Sequence, residues 1–187
     1  METVVQQRNK IHPHKFTLWV AIGSIIMMFA GLTSAYIIKR NQANWETFVL
    51  PSWFWYSTGV MLLSSLTLVM CRKMFEQRER QKYRMLLTAT MVLGLVFVFL
   101  QYMGFREMWA AGFTLTKNAS FSFLYVLVGL HAVHVIAGVI ALMVMFIRGF
   151  ATKSRNYSVV PVELMNTYWH FVDFLWLYLL VFFMVIR

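Results

Sequence analysis

Five apolar runs, each long enough to cross a hydrocarbon layer at 1.5 Å of helix rise per residue, fix what this chain can fold into. They lie near Phe16–Ile38, Ser52–Cys71, Met85–Phe105, Phe121–Ile147 and Met165–Ile186. No water inside lipid satisfies backbone N–H and C=O groups, so each run must be helical. The expected fold is all-α: an integral membrane bundle of five transmembrane helices, one domain over residues 1–187. Charged residues make up only 13% of the chain and mean hydropathy is +0.64, so no stretch is polar enough to build a soluble domain. Pro51 and Pro161 stand beside the starts of the second and fifth runs, where proline does least damage. Small residues at Gly31/Ala35 and Ala137/Ala141 have the spacing of close helix contacts.

Basic residues set the orientation. One side collects twelve Lys and Arg: Arg8, Lys10 and Lys15 in the N-terminal arm, six between Arg72 and Arg84, and Arg148, Lys153 and Arg155. The other side has five, Lys39, Arg40, Arg106, Lys117 and Arg187. The excess predicts a cytoplasmic N-terminus and a periplasmic C-terminus. The same distribution argues against nucleic acid as the meaning of the +10 net charge, because the cations sit between apolar runs. The first run is too long for a signal-peptide core, so no cleaved leader is expected. The single cysteine, Cys71, leaves no internal disulfide and no multi-cysteine metal cluster. Fourteen Met and 17 Phe read as lipid-facing and packing mass. Phosphate loops, serine-nucleophile motifs and dinucleotide fingerprints are absent.

Within the spans, the chain's only aspartate, Asp173, is the most costly residue. A carboxylate at the centre of a bilayer costs roughly 2.5–3.5 kcal/mol on the insertion scale, so it must be paired, protonated or used. His170 stands three residues earlier on the same helix face. His131 and His134 share a face of the fourth span. Together with His170 and Asp173 they could ligate zinc or iron, and a fourth-span histidine with His170 could hold a haem, although no spacing forces either. The plainer reading is a hydrogen-bonded contact between the fourth and fifth spans. Helix depths favour His134 over His131 as the partner of Asp173. A proton relay would start at Glu163, at the inner entrance of the fifth span, but beyond Asp173 only the Tyr178 hydroxyl interrupts the apolar run. Glu46, Glu76, Glu79 and Glu107 are expected to be solvated, with Glu76 to Lys82 forming a charged helical extension. Trp45, Trp53, Trp55 and Tyr56 fit an interfacial belt.

The run Tyr168-Trp169-His170-Phe171-Val172-Asp173, followed by Trp176, resembles the last helix of subunit III of the haem–copper respiratory oxidases. Glu163, seven residues before His170, matches that family's glutamate. Gly129-Leu130-His131-Ala132-Val133-His134-Val135 with Gly138 resembles its Gly-x-His-x-x-His-Val helix. Gly112-Phe113-Thr114-Leu115 is similar to the preceding loop, and Met28-Phe29-Ala30-Gly31 with Ala35-Tyr36 to the first helix of the five-helix core. The resemblance runs from about His14 to the C-terminus, and matches the short bacterial form rather than the seven-helix form. One departure stands out: Ile25 occupies a position where the family often has a buried glutamate.

The resemblance implies a non-catalytic subunit of a cytochrome c or quinol oxidase in the bacterial inner membrane, part of the aerobic respiratory chain. No catalytic centre, cofactor or metal is expected in the chain; haem and copper would lie in the partner catalytic subunit I, which pumps protons. Subunit I, other oxidase subunits and bound phospholipid are the implied partners, with room for a respiratory supercomplex and none for nucleic acid. His131, His134, Glu163, His170 and Asp173 would form a structural or lipid-proximal polar cluster. Two other readings stay open: a haem-binding membrane anchor using His131 or His134 with His170, and an independent proton-coupled carrier.

Overall fold

A computed structural model of the chain describes residues 13–41, 45–46, 50–151 and 160–186. Five helices account for nearly all of these: α1 Pro13–Arg40, α2 Ser52–Glu76, α3 Arg80–Ala110, α4 Ala119–Ala151 and α5 Val160–Ile186. All five are long and apolar enough to cross a membrane. Of the cations used for orientation, Arg8, Lys10, Lys153, Arg155 and Arg187 lie outside the described residues.

Every expected span is present, and the helices run past its apolar limits. α3 has 31 residues, about 46 Å at helical rise. Hydropathy marks where lipid ends, whereas a helix ends where its backbone is capped. The turn between α2 and α3 shows how. Glu79 N–H donates to the Met74 carbonyl at 3.0 Å and Arg78 N–H to the Phe75 carbonyl at 3.1 Å, the paired bonds of a Schellman cap. Arg78 supplies the left-handed residue at φ 60°. The same motif closes α3: Phe113 N–H donates to Met108 and Gly112 N–H to Trp109, both at 3.0 Å, with Gly112 at φ 81°. The continuous charged extension expected over Glu76 to Lys82 is therefore corrected. Arg72–Glu76 at 3.0 Å belongs to α2, and Lys82–Glu79 at 2.6 Å lies on the α3 side of the turn.

Side-chain pairings fix the helix directions. Thr67 meets Thr90 and Gln101 meets Ser57, so α2 and α3 are antiparallel. Phe97 lies against His131, and Phe105 stacks on Tyr125, so α3 and α4 are antiparallel. Tyr168 bonds the His134 carbonyl while Trp176 stacks on His131, which opposes α5 to α4. Lys15 pairs with Glu163 and Thr33 with Tyr178, so α1 runs parallel to α5. The start of α1 and the end of α5 consequently lie at opposite ends of the bundle.

Trp169 is the junction of four helices. Its indole N–H, on α5, donates to Ser64 Oγ of α2 at 3.0 Å. Its ring occupies the slot left by Gly94 of α3 and Gly138 of α4, where an added Cβ would lie 2.9 Å and 3.0 Å from ring carbons. Gly104 of α3 is a third close-packing glycine, with Phe54 of α2 2.7 Å from a Cβ built there. Gly31, Ala137 and Ala141 face outward and make no such contact within the bundle, and no described residue lies within 4 Å of a Cβ built on Gly31. Trp45 also departs from the belt: it stands edge-on to Tyr36 with centroids 4.8 Å apart, while Trp53, Trp55 and Tyr56 are exposed as expected.

Candidate functional site

On α5, Glu163, the adjacent pair Asn166 and Thr167, His170 and Asp173 are separated by three or four residues from one level to the next. At 100° per residue they share one arc of the helix, and Glu163 stands about 15 Å below Asp173. α1 and α2 cover this arc. At its base Glu163 takes the Lys15 ammonium at 2.6 Å and the Arg72 guanidinium at 3.9 Å. A cleft of ≈ 300 Å³ opens there, lined by Lys15, Trp19, Arg72, Glu163 and Thr167. One step up, the Thr167 hydroxyl donates to the Glu163 carbonyl at 3.0 Å, and Asn166 Oδ1 is buried without a hydrogen-bond partner among the described residues. Next, His170 Nδ1 lies 2.6 Å from Ser65 Oγ of α2 and 3.9 Å from Asp173 Oδ2. Asp173 is only 5% exposed; the Ser65 hydroxyl lies beside its carboxyl, but neither oxygen has a hydrogen-bond partner of good geometry among the described residues.

The two histidines of α4 lie elsewhere. His134 Nδ1 donates to the Leu130 carbonyl of its own helix at 2.7 Å, and its ring meets Phe29 of α1 edge-on. His131 is fully buried between Trp176, stacked at 5.2 Å, and Phe97, edge-on at 5.8 Å; both its ring nitrogens lack a hydrogen-bond partner among the described residues. Asp173 therefore does not pair with His134. The depth argument placed the two at similar levels, but helix rotation turns His134 towards α1 and Asp173 towards α2. His170 and Asp173 join α5 to α2, whereas α4 meets α5 through the Tyr168 hydroxyl on the His134 carbonyl at 2.9 Å and the Trp176–His131 stack.

Of the five residues grouped in the sequence, the structure brings His170 and Asp173 together, sets Glu163 at the foot of their arc, and separates His131 and His134. No three His, Cys, Asp or Glu side chains converge in a metal-holding arrangement among the described residues. A haem bridging α4 and His170 fits the geometry poorly: the His131 ring is enclosed between Trp176 and Phe97, and His134 and His170 turn to different helices, α1 and α2.

The partners missed in the sequence are the hydroxyls of α2. Thr58 accepts the Trp176 indole N–H at 2.9 Å, Ser64 that of Trp169, Ser65 meets His170, and Ser57 accepts from Gln101 at 2.9 Å. Their signal was available: Ser57/Ser64 and Thr58/Ser65 repeat at seven residues, the period that keeps one helix face.

The chain is similar to known proteins over most of its length. A family model described as cytochrome c oxidase subunit III matches residues 15–186. Cytochrome c oxidase subunit 3 of Bacillus sp. (strain PS3) is 28% identical over 166 residues, covering 86% of this chain and 80% of that protein. Cytochrome bo(3) ubiquinol oxidase subunit 3 of Buchnera aphidicola subsp. Acyrthosiphon pisum is 29% identical, with 87% and 81% covered. The probable cytochrome c oxidase subunit 3 of Nocardia farcinica is 28% identical over 180 residues, covering 90% and 89%. Since the family model spans all five helices, and with them the Glu163–Asp173 arc and the His131/His134 turn, this chain belongs to the cytochrome c oxidase subunit III family.

Proposed function

We propose that the chain is the non-catalytic subunit III of a haem–copper terminal oxidase, a multi-pass protein of the bacterial inner membrane that braces an oxygen-reducing, proton-pumping catalytic subunit and holds structural phospholipid. The observation that carries this reading is the family match over residues 15–186, together with five helices able to span a membrane. The polar groups within the bundle serve helix packing in this reading: each indole and imidazole of α5 is matched to an α2 hydroxyl, as a packing role requires. His170 and Asp173 act as a polar lock between α2 and α5, and haem and copper belong to the partner.

The end of the bundle bearing Lys15, Arg72 and the α2–α3 turn is the cytoplasmic one in this proposal, as the excess of cations there favours. Alkaline phosphatase fused after Arg187 should then be active, and inserted at Gln77 inactive; the reverse pattern would refute the orientation. The functional test is copurification. Tagged chain extracted in mild detergent should bring down a larger subunit with the optical spectrum of a haem–copper oxidase. A Soret band carried by the isolated chain, or proton-coupled transport by the chain alone in vesicles, would reject the reading in favour of an anchor or a carrier.

A further inference from the structure

The buried carboxyl of Asp173 terminates a polar arc that begins in an open cleft. From the cleft at Lys15, Arg72 and Glu163, the next polar atoms along α5 are those of Thr167, which lines the cleft, and Asn166, whose Oδ1 is buried and has no hydrogen-bond partner among the described residues. His170 and Ser65 follow, and Asp173 stands 3.9 Å from the His170 ring nitrogen. Neighbours three and four apart on a helix have Cβ atoms about 5–6 Å apart, a gap that one bridging water closes. Beyond Asp173 the same arc carries Phe174, Leu177 and Val181; the Tyr178 hydroxyl at its edge pairs with Thr33 of α1 at 3.0 Å, and no polar side chain of α5 follows it up to Ile186.

We propose that Asp173 is a proton-exchange site open to the aqueous phase at one end only, reached from the Glu163 cleft through Thr167, His170 and Ser65. Water in the cleft supplies or receives the proton, and the Asp173 carboxyl is its terminus. The groups facing this site come from three elements. α2 contributes Ser65 beside the carboxyl and Arg72 at the mouth, α1 contributes Lys15 at the mouth, and α5 itself contributes His170 and Glu163. The α4 histidines lie against Trp176 and Phe29 instead. The inference stands on the described geometry and does not depend on the identity of the oxidase partner.

Asp173 is the chain's only aspartate, so [4-13C]aspartate in the full chain reports this carboxyl alone. In phosphatidylcholine vesicles the labelled carboxyl should follow bath pH, and its carbonyl infrared band should shift on transfer to D2O. Thr167→Val, a near-isosteric change at a partly exposed position, should slow that exchange roughly tenfold or more, equivalent to about 1.4 kcal/mol of added barrier. Val181→Ala, beyond Asp173, should leave the rate unchanged. A wild-type carboxyl that ignores bath pH between about 4 and 9, a span bracketing the range in which free and buried carboxyls titrate, would overturn the proposal. Equal rates in Thr167→Val and wild type would do the same, as would comparable slowing by Val181→Ala.

Discussion

Trp169 shows how much of this bundle rests on single contacts. Helices in lipid gain little from excluding water, so their association depends on van der Waals fit and on hydrogen bonds between side chains. Trp169 uses both, its ring lying between Gly94 and Gly138 and its N–H on Ser64. An alanine at Gly94 would place its Cβ 2.9 Å from both Trp169 Cη2 and Val139 Cγ2, and the rigid indole has little room to retreat. Gly94→Ala should therefore destabilise the chain by about 1–3 kcal/mol in detergent unfolding. Gly31→Ala is the matched comparison, for its Cβ meets nothing within 4 Å. There the helix-propensity gain of alanine, about 0.5–1 kcal/mol, should appear unopposed. Equal effects at the two glycines would show that the slot does not hold the bundle together. Sequence spacing pointed to Gly31 because it records period and not rotation; which small residue faces inward depends on the partner helix, and no single run contains that information.

The helices themselves were legible because lipid leaves the backbone one solution. Their ends were less so, since hydropathy stops at the membrane boundary and capping does not. Gln77-Arg78-Glu79 looks like a continuation of a charged helix, yet the chain turns there with an arginine in the left-handed region. A non-glycine residue pays roughly 1–2 kcal/mol for that conformation. Arg78→Gly should remove most of this cost while keeping both Schellman hydrogen bonds, raising stability by about 1 kcal/mol after the larger entropy loss of glycine on folding. Gly112, which ends α3 with the same two bonds, predicts the opposite: Gly112→Ala should lower stability by about 1 kcal/mol. Thermal unfolding of the two variants beside wild type tests the pair, and a stabilised Gly112→Ala would contradict the capping account. The polar arc of α5 was half legible in the same way. Asp173 and His170 announce themselves by their cost in lipid, whereas Ser65, Thr58 and Ser64 pass as ordinary membrane-helix residues until α5 is laid against them.

Across the whole molecule the helices are unequally tied. α2 packs most extensively along α3, α4 lies against α3 and α5, and α5 touches α1, α2 and α4. α1 has only a narrow inward seam, Ile22, Phe29, Thr33 and Tyr36, and presents residues such as Met27, 78% exposed, on the rest of its circumference. Its attachment is concentrated at three levels: Lys15 on Glu163 at one end, Phe29 on His134 with Thr33 on Tyr178 in the middle, and Tyr36 at the other end. Tyr36 is fully buried and meets Trp45, Phe123, Phe182 and Phe183 at ring-centroid distances of 4.8–6.0 Å, so one residue carries most of that last contact. Its removal should therefore act on α1 and leave the four-helix junction at Trp169 intact. Truncation of a buried aromatic costs about 3–5 kcal/mol, more than the Lys15–Glu163 pair at the partly exposed opposite end can offset. In Tyr36→Ala, amide hydrogen exchange of the full chain in lipid nanodiscs should rise through the second half of α1, while α2 to α5 keep wild-type protection. Uniform loss of protection across all five helices would show instead that α1 is an integral part of one cooperative unit, and that the bundle does not divide at the α1 seam.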